Sequence, residues 1–133
     1  MRSRLCRAGV GACAAISIVA GAPAAAAPRA PTAAEGAAWQ ALVVEAEAAQ
    51  AAGDWKTLER ATRKRAAIEE RTYGPEAPLT AASWSWIGQA LVRRGRDAEA
   101  EPYFRKALAV DRKALGPSDP QTLIAIANLA ALL

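Results

Sequence analysis

The sequence is poor in the residues that carry most enzyme chemistry, with no histidine and only two cysteines, Cys6 and Cys13. Serine triads and zinc sites therefore lack their usual histidine, and no thiol follows residue 13. The glycines after residue 30 stand singly, so no glycine-rich phosphate loop occurs. The pair Glu69/Glu70 and the acidic run over 97–101 are expected on solvated helix faces. We predict no catalytic residue, no metal site and no cofactor, and expect that the chain is not an enzyme.

Long hydrophobic runs are also missing, except near the N-terminus. Residues 8–22 are apolar and uncharged, three arginines precede them, and small residues follow around Ala25 and Ala26. This order is typical of a secretory signal peptide, and the run is shorter than the roughly 20 residues that span a membrane. We predict a signal peptide over residues 1–26, with cleavage near Ala25 or Ala26.

Export sets several other expectations. The protein is expected in the bacterial periplasm or outside the cell, without membrane attachment after cleavage, and residues 27–32 form a short linker. Because both cysteines lie within the signal, the mature chain would have no disulfide framework. Two alternatives stay open, namely an uncleaved membrane anchor and a lipoprotein signal that ends at Cys13.

Excess positive charge is almost absent outside the signal. The formal net charge of +4 comes from 17 basic and 13 acidic residues, and three of the basic residues precede the apolar run. Removing them leaves 14 basic against 13 acidic residues, too balanced for a phosphate-binding surface. The basic runs over 63–65 and 93–96 are expected on solvated helix faces. We predict no nucleic-acid partner.

What the sequence does contain is an internal repeat. Four pairs of turn and cap residues have numbers that differ by 42: Gly53 and Gly95, Gly74 and Gly116, Pro78 and Pro120, Thr80 and Thr122. A fixed offset between punctuating residues indicates repeated helical hairpins. The spacing predicts a first, degenerate hairpin over 33–74, a second over 75–116, and the first helix of an incomplete third repeat over 117–133.

Apolar periodicity places the helices within this frame. The predicted helices cover 33–52, 55–73, 79–94, 97–115 and 120 to the end. Thr32 and Glu35 form a capping box, Asp54 is an N-cap, and either Asp119 or Ser118 caps the last helix. Pro102 is expected to distort the fourth helix or delay its start.

The second hairpin carries the strongest motif, Trp84-x-x-Ile87-Gly88-x-x-Leu91 followed by Ala100-x-x-x-Phe104. It resembles the tetratricopeptide repeat, and its length together with residues 98–122 resembles the 42-residue kinesin-light-chain-like variant. The resemblance implies an all-α, right-handed solenoid of antiparallel hairpins with about two and a half repeats. A HEAT-like or armadillo-like solenoid is the alternative. The first copy departs from the motif at three positions: Leu58, Thr62 and Arg65 stand where the motif has Ala, Phe and Ala.

The same resemblance implies a binding site. In this family the first helix of each hairpin lines a concave groove that holds a peptide or a partner helix. The expected groove residues are Ser85, Trp86, Gln89, Arg93 and Asn128.

Two of these residues leave an alternative open. Asn128 occupies the position where the kinesin-light-chain-like variant has an asparagine that hydrogen-bonds a peptide backbone, although it is equally consistent with a solvated side chain. Trp86 stands at that position in the preceding repeat, as an exposed anchor or as ordinary core. Trp39 and Trp55 are interpreted as core.

These observations predict a protein-protein interaction module that binds a peptide or a partner protein. The alternative is the sensing arm of a longer enzyme, for example a caspase-like peptidase, with catalytic residues beyond residue 133. The last helix carries Leu129, Leu132 and Leu133, which a following helix would bury. We therefore expect self-association or further repeats through this helix.

Overall fold

The computed structural model describes residues 28–133, so the predicted signal peptide lies outside the described residues. Five helices follow in chain order: α1 (Ala33–Ala52), α2 (Trp55–Tyr73), α3 (Pro78–Arg93), α4 (Asp97–Ala114) and α5 (Pro120–Ala130). Each helix packs against the next, and α3 also touches α5. No strand occurs between residues 28 and 133. The predicted all-α helical repeat solenoid is confirmed.

The helix starts follow from their capping residues. The Thr32 hydroxyl accepts from the backbone N–H of Glu35 at 3.2 Å, and the Glu35 carboxylate accepts from the Thr32 N–H at 3.0 Å. Asp54 caps α2, and Asp119, rather than Ser118, caps α5 by accepting from the backbone N–H of residue 121 at 2.9 Å. These side chains supply acceptors for N–H groups that a helix leaves unpaired at its start.

The period of the repeat is visible in the backbone. Gly53 and Gly95 have φ values of 70° and 71°, and Gly74 and Gly116 have values of 90° and 92°. These left-handed conformations favour glycine because it has no Cβ. Equivalent side-chain hydrogen bonds accompany the second pair, since Thr80 donates to the Gly74 carbonyl at 2.9 Å and the equivalent threonine of the third repeat donates to the Gly116 carbonyl at 2.7 Å.

The delayed start of α4, one of the two effects expected of Pro102, and the predicted end of α5 were wrong. Helix α4 runs from Asp97 through Pro102 without delay, because a proline in the second turn removes only the hydrogen bond to the carbonyl of Ala98. Helix α5 ends at Ala130 instead of continuing to the end of the sequence, and a turn follows it.

The second hairpin holds the larger core. Trp84, Ile87, Leu91 and Phe104 are at most 6% exposed and pack between α3 and α4. A Cβ on Gly88 would lie 2.6 Å from Phe104 Cε1, so the helices can cross this closely only with glycine there. The small and large residues of the motif therefore fit each other at one crossing.

The core of the first hairpin is smaller. It is built mainly from alanines and Leu58, and Thr62 takes the place of a large aromatic. The Thr62 hydroxyl is buried without a hydrogen-bond partner among the described residues. Trp55 is half-buried and packs against this core, as its assignment to the core requires, whereas Trp39 is half-buried outside it, so its assignment to the core was wrong. Polar side chains of α2 lie beside Trp39, whose indole N–H donates to one of them.

One of these polar groups is Glu69, whose predicted position on a solvated face was wrong. Its side chain is fully buried and accepts hydrogen bonds from Trp39 Nε1 at 2.8 Å and from the Ser83 hydroxyl. Arg65 Nε lies 3.5 Å from the same carboxylate. Partners from α1, α2 and α3 thus satisfy a charge that burial would otherwise make costly.

A second buried carboxylate, Glu59, accepts hydrogen bonds from arginines of both basic runs. Arg63, Arg94 and Arg96 all hydrogen-bond to it, which joins residues far apart in the sequence. Although burial raises the pKa of Glu59, the hydrogen bonds from Arg63 and Arg94 outweigh that effect and lower it. These arginines tie α2 to the α3–α4 turn and are not simply solvated.

Between residues 28 and 133, no helix is both long and apolar enough to span a membrane.

Candidate functional site

A groove lies between α3 and α5, with the end of α4 at its base. It contains two adjoining clefts of about 320 and 270 Å³, and Gln89 lines both. We call the larger one the α4-side cleft and the smaller one the C-terminal cleft. The α4-side cleft is lined by Pro78, Ala82, Ser85, Trp86, Gln89, Asp111, Leu115, Gln121 and Ile124. The C-terminal cleft is lined by Gln89, Val92, Arg93, Asp97, Phe104, Asn128, Ala131 and Leu132.

The structure brings the five sequence-predicted site residues to this groove. Ser85, Trp86 and Gln89 line the α4-side cleft, and Gln89, Arg93 and Asn128 line the C-terminal cleft. Successive turns of α3 place residues 85, 89 and 93 on one face because they are four residues apart. Helix α5 supplies the opposite wall.

Trp86 is half-buried, and both interpretations of this residue describe part of its surroundings. It lines the α4-side cleft and also a smaller cavity of about 150 Å³ that reaches Leu58 and Thr62. A large ring at residue 86 therefore packs beside the small Thr62 while still contributing apolar surface to the groove. Such half-buried indoles are favourable contact residues because they combine area with few rotatable bonds.

Asn128 and Arg93 give the C-terminal cleft its polar character. Asn128 is half-buried, and its amide nitrogen is shielded from solvent without a hydrogen-bond partner among residues 28–133. The guanidinium of Arg93 lies 5.2 Å from the centre of the Trp55 ring, a cation–π distance that orients it. An unpaired amide and an oriented cation can both bind a polar partner segment.

Asp111 is a groove residue that sequence reasoning missed. Its side chain is 5% exposed and lines the α4-side cleft, yet it takes part in no side-chain hydrogen bond or ion pair within residues 28–133. Burial, and to a smaller degree the nearby carboxylate of Asp119, raise the pKa of Asp111.

Asp111 was missed because it lies on α4, whereas only α3 and α5 were expected to line the groove. The signal that could have found it is the repeat itself, since Asp111 is the repeat equivalent of Glu69. An acidic side chain at one register of two aligned helices is a candidate for burial in both.

Of the three leucines expected to lie uncovered at the C-terminal end, Leu133 is exposed and the other two are not. Leu129 and Leu132 are partly buried against the core of the second hairpin, so their predicted exposure was wrong. The exposed residues are Leu123, Ile124, Ile126 and Leu133. The helix packs Leu129 against the α3–α4 core and buries Thr122 and Ala125, which leaves Leu123, Ile124 and Ile126 exposed on its other side.

The groove is equipped for recognition. It offers an indole, amides, a guanidinium and a carboxylate, which can donate, accept and stack on a partner. Across residues 28–133, no group of three or more histidine, cysteine, aspartate or glutamate side chains is placed to hold a metal ion.

Comparison with known families agrees with this architecture. The profile described as "Tetratricopeptide repeat" matches residues 40–113 and, in an overlapping match, residues 79–133. Comparison with curated proteins finds no significant match. Repeats of this family mediate protein-protein interactions and are typically non-catalytic. Because the profile covers more than half of the sequence, the chain belongs to the tetratricopeptide repeat family.

Proposed function

We propose that the chain is an interaction module, not an enzyme, that binds an extended segment of a partner protein in the groove between α3 and α5. The observation that carries this proposal is the adjoining pair of clefts that share Gln89. Together they offer a path along α3 in which polar side chains alternate with apolar surface. Extended peptides are bound in this way when side-chain amides pair with the peptide backbone and pockets accept alternate side chains.

Asn128 is proposed to pair with the backbone of the bound segment. Its place in the lining of the C-terminal cleft supports this role, since a side-chain amide can both donate to and accept from a peptide backbone. The position matches the asparagine of the kinesin-light-chain-like variant, which the chain resembles. Trp86 replaces that asparagine one repeat earlier, so we propose an apolar contact there in place of a second backbone clamp.

A display experiment tests the proposal. The purified chain would be presented with a library of random linear peptides, and enriched peptides would be measured by fluorescence anisotropy. Gln89→Ala and Asn128→Ala should each weaken binding by about 10-fold, the effect expected from losing one hydrogen bond of roughly 1–1.5 kcal/mol. Gln40→Ala, which changes an exposed glutamine on α1, is the matched control and should have no effect.

Two results would contradict this function. The first is the absence of any peptide whose affinity depends on Gln89 or Asn128. The second is that enriched peptides bind equally well to all three variants, which would place the interaction outside the groove.

We propose that the chain is exported, on the strength of the basic, apolar and small-residue order of positions 1–26. Mass spectrometry of the protein from a bacterial envelope fraction should find an N-terminus at Ala26 or Ala27. Intact Met1, or a lipid on Cys13, would contradict this proposal.

The exposed side chains of α5 support a contact between this helix and further helices or a second copy. Leu123→Glu with Ile126→Lys should then abolish self-association in sedimentation velocity while leaving helical content unchanged. A parent protein that is monomeric at all concentrations would contradict self-association.

The alternative role as the sensing arm of an enzyme is tested by translating the reading frame beyond residue 133, which should then encode a catalytic domain.

A further inference from the structure

The two hairpins carry a buried carboxylate at the same repeat position, with opposite surroundings. In the first hairpin Glu69 accepts hydrogen bonds from Trp39 and Ser83 and lies beside Arg65. These groups come from three helices and enclose the charge. Glu69 is therefore satisfied within the protein.

In the second hairpin the corresponding partners are all absent. Moving Trp39, Arg65 and Ser83 forward by one repeat gives Ala81, Ala107 and Ala125. All three alanines are at most 1% exposed, and none of them has a side chain that could donate a hydrogen bond to Asp111. Asp111 retains a buried position and has no cation or donor side chain to satisfy it within the described part of the chain.

The α4-side cleft leads to this carboxylate. Gln89 and Gln121 bring side-chain carbonyl oxygens, and Ser85 brings a hydroxyl. Trp86 contributes an aromatic surface, and Leu115 with Ile124 contributes aliphatic surface. The cleft thus combines several hydrogen-bond acceptors and one negative charge with walls that can cover a hydrocarbon stem.

These features select a planar cation. A guanidinium has five N–H donors and no acceptor, pairs with a carboxylate through two parallel hydrogen bonds, and stacks on an aromatic ring. Its three methylene groups can lie against apolar walls. An ammonium would use fewer of the acceptors, and an anion would be repelled by Asp111 and the neighbouring Asp119.

We propose that the α4-side cleft receives an arginine side chain of the bound peptide, with its guanidinium paired to Asp111 and packed beside Trp86. This inference rests on the proposed peptide-binding function and adds the chemistry of one ligand position. The ligand then supplies the hydrogen-bond partners that Asp111 lacks in the second hairpin.

The probe is a capped tripeptide, glycyl-arginyl-glycine amide, compared with its citrulline counterpart, which has nearly the same shape but no charge. Binding to the full chain would be followed by NMR through the indole N–H of Trp86, identified by its loss in Trp86→Phe, and through the side-chain amides of Gln89 and Gln121. The arginine probe should give saturable shifts at these groups and bind at least 10-fold more tightly than citrulline.

Asp111→Asn should abolish the preference for arginine, and Glu47→Gln should retain it. Glu47→Gln is a matched control because this substitution also removes one negative charge, but from the cavity on the other side of Trp86. Asp111→Asn breaks no hydrogen bond within the described residues, and an unchanged circular dichroism spectrum would establish that the variant is folded. Equal affinity for both probes, no shift up to the solubility of the arginine probe, or an unchanged preference in Asp111→Asn would overturn the inference.

The library selection separates this inference from the proposed function. Peptides that depend on Gln89 and Asn128 but show no enrichment of arginine would leave the peptide-binding function standing and overturn the arginine site. Saturable binding of the arginine probe without any groove-dependent peptide would overturn the peptide-binding function while supporting the cation cleft.

Discussion

The two hairpins of this chain share a period, a set of turn glycines and a buried carboxylate. They differ in their core residues and in the partners of that carboxylate. In the first, polar side chains such as Trp39 and Ser83 fill the space around Glu69, and the core is built from small residues. In the second, aromatic rings build the core, and Asp111 is left facing a cleft. The buried carboxylate of the first hairpin is therefore satisfied by its own protein partners, whereas that of the second faces a cleft.

The same repeat position holds a buried acidic group in both hairpins. The protein supplies its partners in the first hairpin, and we propose that a ligand supplies them in the second. The same division applies to Thr62 and Phe104, which occupy one register and leave a cavity in the first hairpin and a filled core in the second. The following predictions test whether the hairpins differ in this way.

The largest effect on stability is expected at Glu69, when it is compared with Asp111 at the same repeat position. Glu69→Ala leaves Arg65 and the donors of Trp39 and Ser83 without their acceptor, and should lower the free energy of unfolding by about 3–5 kcal/mol. Asp111→Ala removes an unpaired charge and should lower it much less or raise it. Urea unfolding followed by circular dichroism would measure both. Similar losses in the two variants would remove the basis of the comparison.

The helix crossing should give the next largest effect. Gly88→Ala places a Cβ against the buried ring of Phe104 and should cost about 1–3 kcal/mol. Gly36→Ala is the matched control, because a Cβ there meets nothing within 4 Å and alanine favours a helix by about 0.5–1 kcal/mol. Thermal unfolding should therefore shift in opposite directions. A neutral Gly88→Ala would mean that α3 and α4 do not pack as closely as described.

A smaller effect is expected at the buried threonines. Thr62→Val removes a hydroxyl that lacks a hydrogen-bond partner and should raise stability by about 1 kcal/mol. Thr80→Val removes a hydroxyl that donates to the Gly74 carbonyl and should lower stability by about 1 kcal/mol. The two changes are chemically identical, so their opposite signs in urea unfolding would isolate the hydrogen bond. A loss in both variants would show that Thr62 has a partner.

The pH dependence of stability should also differ between acidic groups. Because the pKa of Asp111 is raised in the folded state, its contribution to stability is fully present below the unfolded pKa and is lost as pH rises through the folded pKa. Asp111→Asn should therefore be more stable than the parent at pH 7, with a gain that disappears in acid.

The pKa of Glu35 is lowered to about 2 by the hydrogen bonds from Arg29 and Thr32, with burial opposing them. Glu35→Gln should consequently show the reverse pattern, with a loss of stability at pH 7 that vanishes as the parent is acidified toward pH 2. Unfolding curves of the three proteins at several pH values would test both signs. A gain for Asp111→Asn that is constant with pH would contradict a raised pKa.

The repeat and the helices could be predicted from the sequence because they depend on local signals. Capping residues and glycines fix where helices begin and end, and the bounds of α1 and α2 follow directly from Thr32, Gly53 and Asp54. Four of the five predicted groove residues lie on α3, where helical periodicity fixes which side chains share a face, and the resemblance to the kinesin-light-chain-like variant placed Asn128 on α5.

The polar interior could not be predicted in the same way. Whether Glu69 is solvated or buried depends on Trp39 and Ser83, which are 30 and 14 residues away and belong to other helices. The rotation of α5 likewise depends on the shape of the core that Leu129 covers. Asp111 combines both problems, since its burial is set by the repeat and its lack of partners is set by three alanines.

Asp111 is buried without a side-chain hydrogen bond among residues 28–133, and we expect that a hydroxyl at the equivalent of Ser83 would satisfy it. Carbon-13 NMR of the Asp111 carboxyl group, titrated in the parent and in Ala125→Ser, tests this directly. We predict a pKa above the ordinary aspartate value in the parent and a lower pKa in the variant, because the serine hydroxyl would donate to the carboxylate. A parent pKa at or below the ordinary value would contradict it, since the carboxylate would then already be satisfied.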